Sequence, residues 1–253
     1  MTKSSFDGAL DNHAAMRTTN TVMNMKNFTA AAVTGLLLIS CARSVFAAID
    51  SAARMKRILV LGDSLSDGLN LKRSQAYPAL LISKLRGAGL NNFELTNASA
   101  SGGTTQGGLR RLPPHLKHKI DIFILELGIN DAFLGVPIEQ ISENLQAIID
   151  QVKTRNPNVR LIIAGMQLPN YSADDYVAAF GRMYVEVAAR NHAALVPYLL
   201  EGVGGNPALN LPDRIHPNAA GQIVLAENVW HVLEPIAREV SGTSNLATPA
   251  ATQ

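Results

Sequence analysis

Short apolar runs ending in glycine or a small residue constrain this chain more than any other feature. They are Arg57-Ile58-Leu59-Val60-Leu61-Gly62, Asp121-Ile122-Phe123-Ile124-Leu125-Glu126-Leu127 (followed by Gly128) and Val159-Arg160-Leu161-Ile162-Ile163-Ala164. Their Val, Ile and Leu residues occupy consecutive positions, so such a strand must be covered on both faces, as in a parallel sheet between layers of helices. Phe93–Thr96 and Ala194–Pro197 read as two weaker strands. Helical stretches separate them: Tyr77 to Leu85 ending at Gly87, a helix after Pro137, Ala173 to Asn191, and Ala219 to Val240. The helix after Pro137 has Ile138, Ile141, Leu145, Ile148, Ile149 and Val152 on one side, which is the stripe of a helix docked on a core. Strand-helix alternation without an internal repeat predicts one α/β domain over residues 55–240. The expected architecture is three-layer α/β/α, with a five-stranded parallel sheet in flavodoxin-like order. Glu201 to Pro217 is a long loop rich in proline and glycine, and residues 241–253 form a small, polar tail.

With 47% hydrophobic and 17% charged residues, the chain is too apolar to stay disordered. The first 47 residues read as an address. Met25-Lys26-Asn27 puts a positive charge before the apolar run Phe28 to Ser40, and Val45-Phe46-Ala47 offers a cleavage site after Ala47. Leu38-Ile39-Ser40-Cys41 supports a second reading, a lipoprotein signal with Cys41 lipidated and membrane-anchored. Both readings send the domain to the bacterial cell envelope, periplasmic or secreted. Residues before Met25 lack periodicity, so Met23 or Met25 is a candidate start. Removing residues 1–47 leaves 18 Lys and Arg against 18 Asp and Glu, and no basic field for nucleic acid. It also removes the single cysteine, which suits an oxidising compartment.

In an open parallel sheet, ligands sit at the carboxyl ends of the strands. After the first strand stands Gly62-Asp63-Ser64-Leu65-Ser66-Asp67-Gly68, a serine in a glycine-flanked turn, placed as a nucleophile would be. After the second comes Ser101-Gly102-Gly103-Thr104-Thr105, where Gly102 lets the backbone approach a ligand with its N–H as donor. After the third comes Gly128-Ile129-Asn130-Asp131, where the Asn130 amide is a donor at every pH, as a developing oxyanion requires. The long loop ends in Asp213-Arg214-Ile215-His216-Pro217. A spacing of three lets Asp213 hold one ring nitrogen of His216 and leaves the other to take a proton from a serine. Each segment alone is what an ordinary cap or turn carries. Their combined order discriminates. His115, His118, His192 and His231 lack the arrangement and read as surface or packing residues. Asp63, Asp67 and Asp131 form an acidic group that suits a metal or phosphoacceptor site but reads better as caps and loop anchors. Glu126, inside a strand, reads as a structural hydrogen-bonding group.

In these blocks the chain resembles the SGNH hydrolases, or GDSL esterase/lipase family. Gly62-Asp63-Ser64-Leu65-Ser66, Gly102, Gly128-Ile129-Asn130-Asp131 and Asp213-Arg214-Ile215-His216-Pro217 carry the resemblance, over roughly Arg57 to Leu233. Asn97-Ala98-Ser99, Leu125-Glu126-Leu127-Gly128 and Leu168-Pro169-Asn170-Tyr171 are similar to the bacterial thioesterase/lysophospholipase and arylesterase subgroup. Gly103 departs from it, since aspartate is frequent there. The resemblance implies a serine esterase for acyl esters, thioesters or lysophospholipids. Ser64, His216 and Asp213 would be its triad, and Ser64, Gly102 and Asn130 its oxyanion hole. That route uses no metal or cofactor. Phe133, Leu134, Pro169 and Tyr171 are candidate substrate contacts, with packing under the next helix as the alternative for Phe133 and Leu134. Two other readings stand beside this one, a carbohydrate O-deacetylase and a catalytically silent envelope binding protein.

Overall fold

The structure, a computed structural model, describes residues 54–168 and 174–242. The leader with Cys41 and Ala47, the loop residues Pro169 and Tyr171, and the tail beyond Gly242 lie outside the described residues. In chain order the elements are β1 (Lys56–Gly62), α1 (Ser64–Asp67), α2 (Tyr77–Gly87), β2 (Phe93–Asn97), α3 (Thr105–Arg111), β3 (Ile122–Glu126), α4 (Ile129–Phe133), α5 (Ile138–Arg155), β4 (Arg160–Ala164), α6 (Asp174–Asn191), β5 (Ala194–Val196) and α7 (Ala219–Ser241). Short 3-10 turns at Arg73–Gln75 and Pro113–Lys117 complete them.

The five strands form one parallel sheet in the order β2-β1-β3-β4-β5, the expected flavodoxin-like order. Strands β1 and β3 are its centre, and Ile58 to Leu61 and Ile122 to Leu125 are all buried. Strand β2 is an edge with only Phe93 fully buried, which is why its sequence signal is weak. Helix α2 packs on α7, while α5 contacts both α3 and α6. The α5 stripe is buried at Ile141, Leu145, Ile148, Ile149 and Val152, and Ile138 is half-buried. Each fully buried side chain of this size contributes about 1.5–3 kcal/mol of transfer free energy. Helix α7 continues to Ser241 and is capped by Gly242, so the last turn takes up the start of the expected tail.

The chain leaves β1, builds the edge strand β2, and returns past β1 to β3. The carboxyl ends of β1 and β3 are therefore neighbours, with Gly62 in register with Glu126. The turns after those strands carry Ser64 and Asn130. No helix among the described residues is long and apolar enough to cross a membrane.

Candidate active site

Asp63 joins β1 to α1 as the helix N-cap. Its carboxylate accepts the Leu65 N–H at 3.0 Å, which caps the four-residue helix and fixes the turn before Ser64. Ser64 opens that helix, so its own N–H has no intrahelical acceptor. Gly68 closes the helix in the left-handed conformation. From α7, Gln222 takes the Tyr77 N–H at 2.7 Å and donates to the Leu65 carbonyl at 3.0 Å. The turn that carries Ser64 is thus held from the far end of the sequence.

Four residues after Leu209, the chain turns at Asp213. The Oδ1 of Asp213 accepts the backbone N–H groups of Ile215 at 2.9 Å and His216 at 3.0 Å, across Arg214 in the left-handed region. Its Oδ2 lies 2.9 Å from His216 Nδ1, and His216 Nε2 lies 3.0 Å from Ser64 Oγ. A carboxylate only accepts, so Nδ1 carries the ring proton and Nε2 is left to accept from the serine hydroxyl. The two backbone N–H bonds, with help from His216, hold the Asp213 carboxyl down to about 2. Spacing alone anticipated this meeting of Asp213 and His216. It could not show the 152-residue closure onto Ser64.

Asn130 lies in α4. Its Nδ2 donates to Asp63 Oδ2 at 3.1 Å and to the Gly103 carbonyl at 3.0 Å, so both amide hydrogens have acceptors. Gly102, exposed and left-handed (φ 72°), sits next to that carbonyl. The structure therefore brings Ser64, Asp213 and His216 into one hydrogen-bonded line, and Asn130 to the Gly102-Gly103 loop. Phe133 and Leu134 do not pack under the next helix. They are 61% and 73% exposed at the end of α4.

The three aspartates singled out by sequence each hold a loop. Asp63 caps α1, Asp67 accepts from Ser101 N and Oγ at 3.2 and 2.8 Å, and Asp131 accepts from Thr105 N and Oγ1 at 2.8 and 2.5 Å. The last two tie the turns after β1, β2 and β3 together. Sequence reasoning missed Gln222 and Arg111. Arg111 donates from Nη2 to the Gly62 carbonyl at 3.0 Å and so braces the end of β1 from α3.

Under this surface lies a second, fully buried layer. Glu126 Oε2 accepts the Asp63 N–H at 3.1 Å and the Ser66 hydroxyl at 2.7 Å, and Ser66 is bonded to Tyr77 OH at 2.7 Å. A Cβ on Gly62 would stand 2.5 Å from that same oxygen, so only glycine admits the Glu126 carboxyl here. Gly128 (φ 125°) plays the matching part beside Tyr184, whose hydroxyl donates to the Leu127 carbonyl at 3.0 Å.

A family model described as GDSL-like lipase/acylhydrolase matches residues 60–223, a span that contains all four motif blocks. The chain belongs to the GDSL-like lipase/acylhydrolase family. With that membership it is a carboxylic ester hydrolase. It is 41% identical to Esterase TesA of Pseudomonas aeruginosa over 202 residues, which are 79% of this chain and 98% of that protein. It is 36% identical to Thioesterase 1/protease 1/lysophospholipase L1 of Escherichia coli K12 over 186 residues, 73% of this chain and 86% of that one. A crystal structure of TesA superposes with a TM-score of 0.68 at 40% identity, covering 72% of this chain and 99% of that chain. In this GDSL-like hydrolase the motif serine is Ser64.

Proposed function

We propose that the protein is a serine esterase in which Ser64, His216 and Asp213 are the catalytic triad. The observation that carries this reading is the continuous line Ser64 Oγ to His216 Nε2 (3.0 Å) and His216 Nδ1 to Asp213 Oδ2 (2.9 Å). Ser64 Oγ attacks the carbonyl carbon of an acyl ester or thioester, and His216 Nε2 takes its proton. Asp213 is an anion at any pH well above about 2, so it holds the ring and stabilises the imidazolium. The carbonyl oxygen, now an anion, receives the N–H groups of Ser64 and Gly102. It also takes the Asn130 hydrogen that otherwise meets Gly103 O. The tetrahedral centre collapses, and His216 hands its proton to the departing alcohol or thiol. Water, deprotonated by His216, then attacks the acyl-enzyme and releases the acid and Ser64.

Exposed Phe133 and Leu134, next to the Asn130 turn, offer apolar surface to an acyl or aryl group. Together with the name of the E. coli relative, this favours fatty acyl thioesters and lysophospholipids over acetylated sugars. The leader pattern in residues 25–47 supports export to the periplasm, with signal-peptide cleavage as the first reading and lipidation at Cys41 as the second. Steady-state hydrolysis of p-nitrophenyl esters by the wild type and Ser64→Ala tests the reading. A loss of about 10⁴-fold or more in kcat supports it. Wild-type turnover by Ser64→Ala overturns it, and inactivity of the wild type on every ester favours the silent binding protein.

A further inference from the structure

We propose that Glu126 is a positioning residue for ester hydrolysis. Its buried carboxyl, acting through Asp63, fixes both the turn that carries Ser64 and the amide of Asn130. The inference rests on the serine-esterase reading above and adds a residue outside the triad and the oxyanion donors.

Glu126 and Asp63 are both 0% exposed, at the ends of the two central strands. Glu126 grips the Asp63 N–H, while the Asp63 carboxylate grips Leu65 N and Asn130 Nδ2. One link therefore separates Glu126 from the nucleophile turn and from the oxyanion donor. Asn130 can turn one hydrogen toward substrate only if the other stays bound, and Asp63 Oδ2 is the acceptor that keeps it.

The charge state follows from the contacts. Glu126 Oε2 accepts two donors, as the carbonyl oxygen of a neutral carboxyl can, whereas Oε1 is buried without a hydrogen-bond partner. A buried Glu126 charge beside the Asp63 charge would come at high cost, so the pair carries one negative charge and Glu126 keeps its proton. Asp63 accepts one donor on each oxygen, Leu65 N–H on Oδ1 and Asn130 Nδ2 on Oδ2, and takes the single negative charge. Burial and the Asp63 charge push Glu126 well above the carboxylate range, and burial raises Asp63 to about 6. The other titratable groups facing the pair are Tyr77 from α2, Tyr184 from α6, and Arg111 and His216 at greater remove. Neither tyrosine titrates in the ordinary range, since burial raises both. Ionising Glu126 at alkaline pH would place a second negative charge against Asp63 and loosen its hold on Asn130.

The test is the pH profile of kcat and KM on a p-nitrophenyl ester for the wild type, Glu126→Ala, Glu126→Gln and Ser64→Ala. Expected for Glu126→Ala is a kcat at least tenfold lower with KM within about threefold, because orientation of a transition-state donor is lost. Glu126→Gln keeps the accepting oxygen and cannot ionise. It should recover most of that loss and lack the alkaline fall in kcat expected of the wild type. If Glu126→Ala does not fold, the Gln profile decides alone. An alkaline limb shared by the Gln variant and the wild type overturns the inference, as does wild-type kcat in a folded Ala variant. Those results with a dead Ser64→Ala leave the triad standing, whereas an active Ser64→Ala overturns both.

Discussion

Two aspartates flank Ser64, and the protein treats them in opposite ways. Asp63 precedes the serine in the chain, is sealed from solvent, and titrates up at about 6. Asp213 reaches the serine through His216, keeps 39% of its side chain exposed, and titrates down at about 2. Desolvation dominates the first and backbone N–H donors the second. The contrast teaches that a carboxylate at this site is defined by its surroundings. In the proposed mechanism Asp213 is kept charged to hold an imidazolium that appears and vanishes during turnover. Asp63 is kept in a buried layer with Glu126, where only one charge fits, and its role is to hold other groups still.

Changes that cut into this contrast should rank by which side they reach. Asp213→Asn breaks the charged side. It retains an oxygen for the backbone N–H groups but removes the anion that fixes the ring tautomer, so kcat should fall about 10²–10⁴-fold with little change in KM. A kcat within threefold of wild type would mean that His216 is oriented by something else.

The buried side is read best through stability against pH. A carboxyl in the unfolded chain titrates at about 4. Asp63 and Glu126 titrate higher when folded, so over that window the fold keeps a proton that the unfolded chain has released. Stability then falls as pH rises through the window. Asp213 has the other sign, with its contribution present above about 4 and lost as pH falls through about 2. The melting temperature of Glu126→Gln should therefore decline less than that of the wild type from about pH 5 to pH 9, while Asp213→Asn keeps the wild-type slope there. Parallel curves for Glu126→Gln and the wild type would remove the buried layer from the account.

The smallest effect belongs to the rim. Leu134→Ala should lower kcat/KM for an octanoyl ester about threefold to tenfold more than for an acetyl ester, since an acyl contact at this exposed rim is worth about 1 kcal/mol, the order of one buried methylene. An equal effect on both esters would separate Leu134 from the acyl chain.

Most of this frame could be read from the sequence because its signals are local. The central strands announce themselves by consecutive Val, Ile and Leu, and the α5 stripe by its period. The short helices α1, α3 and α4 were not legible, because four to seven residues carry no period and rest on caps such as Asp63 and Thr104. Helix α3 even contains Gly107 and Gly108, poor helix formers. Gly108 is there because a Cβ would come within 2.5 Å of Leu127 in the core, a fact of packing that no local pattern records. The same holds at the site. Asp213 and His216 are three residues apart and could be paired on paper. The engagement of both Asn130 hydrogens, the anchoring by Gln222 and the Glu126 layer arise from contacts between segments far apart in the chain. Glu126 alone left a trace, a charged residue inside an apolar strand, which marked it as a hydrogen-bonding group without naming its partners.

The central claim is that Ser64 is the nucleophile, and covalent labelling tests it most directly. Intact protein treated with a fluorophosphonate and digested should show one phosphonylated peptide, modified at Ser64, and the adduct should vanish in His216→Ala. An adduct on another residue, or ester hydrolysis that survives full modification of Ser64, would contradict it.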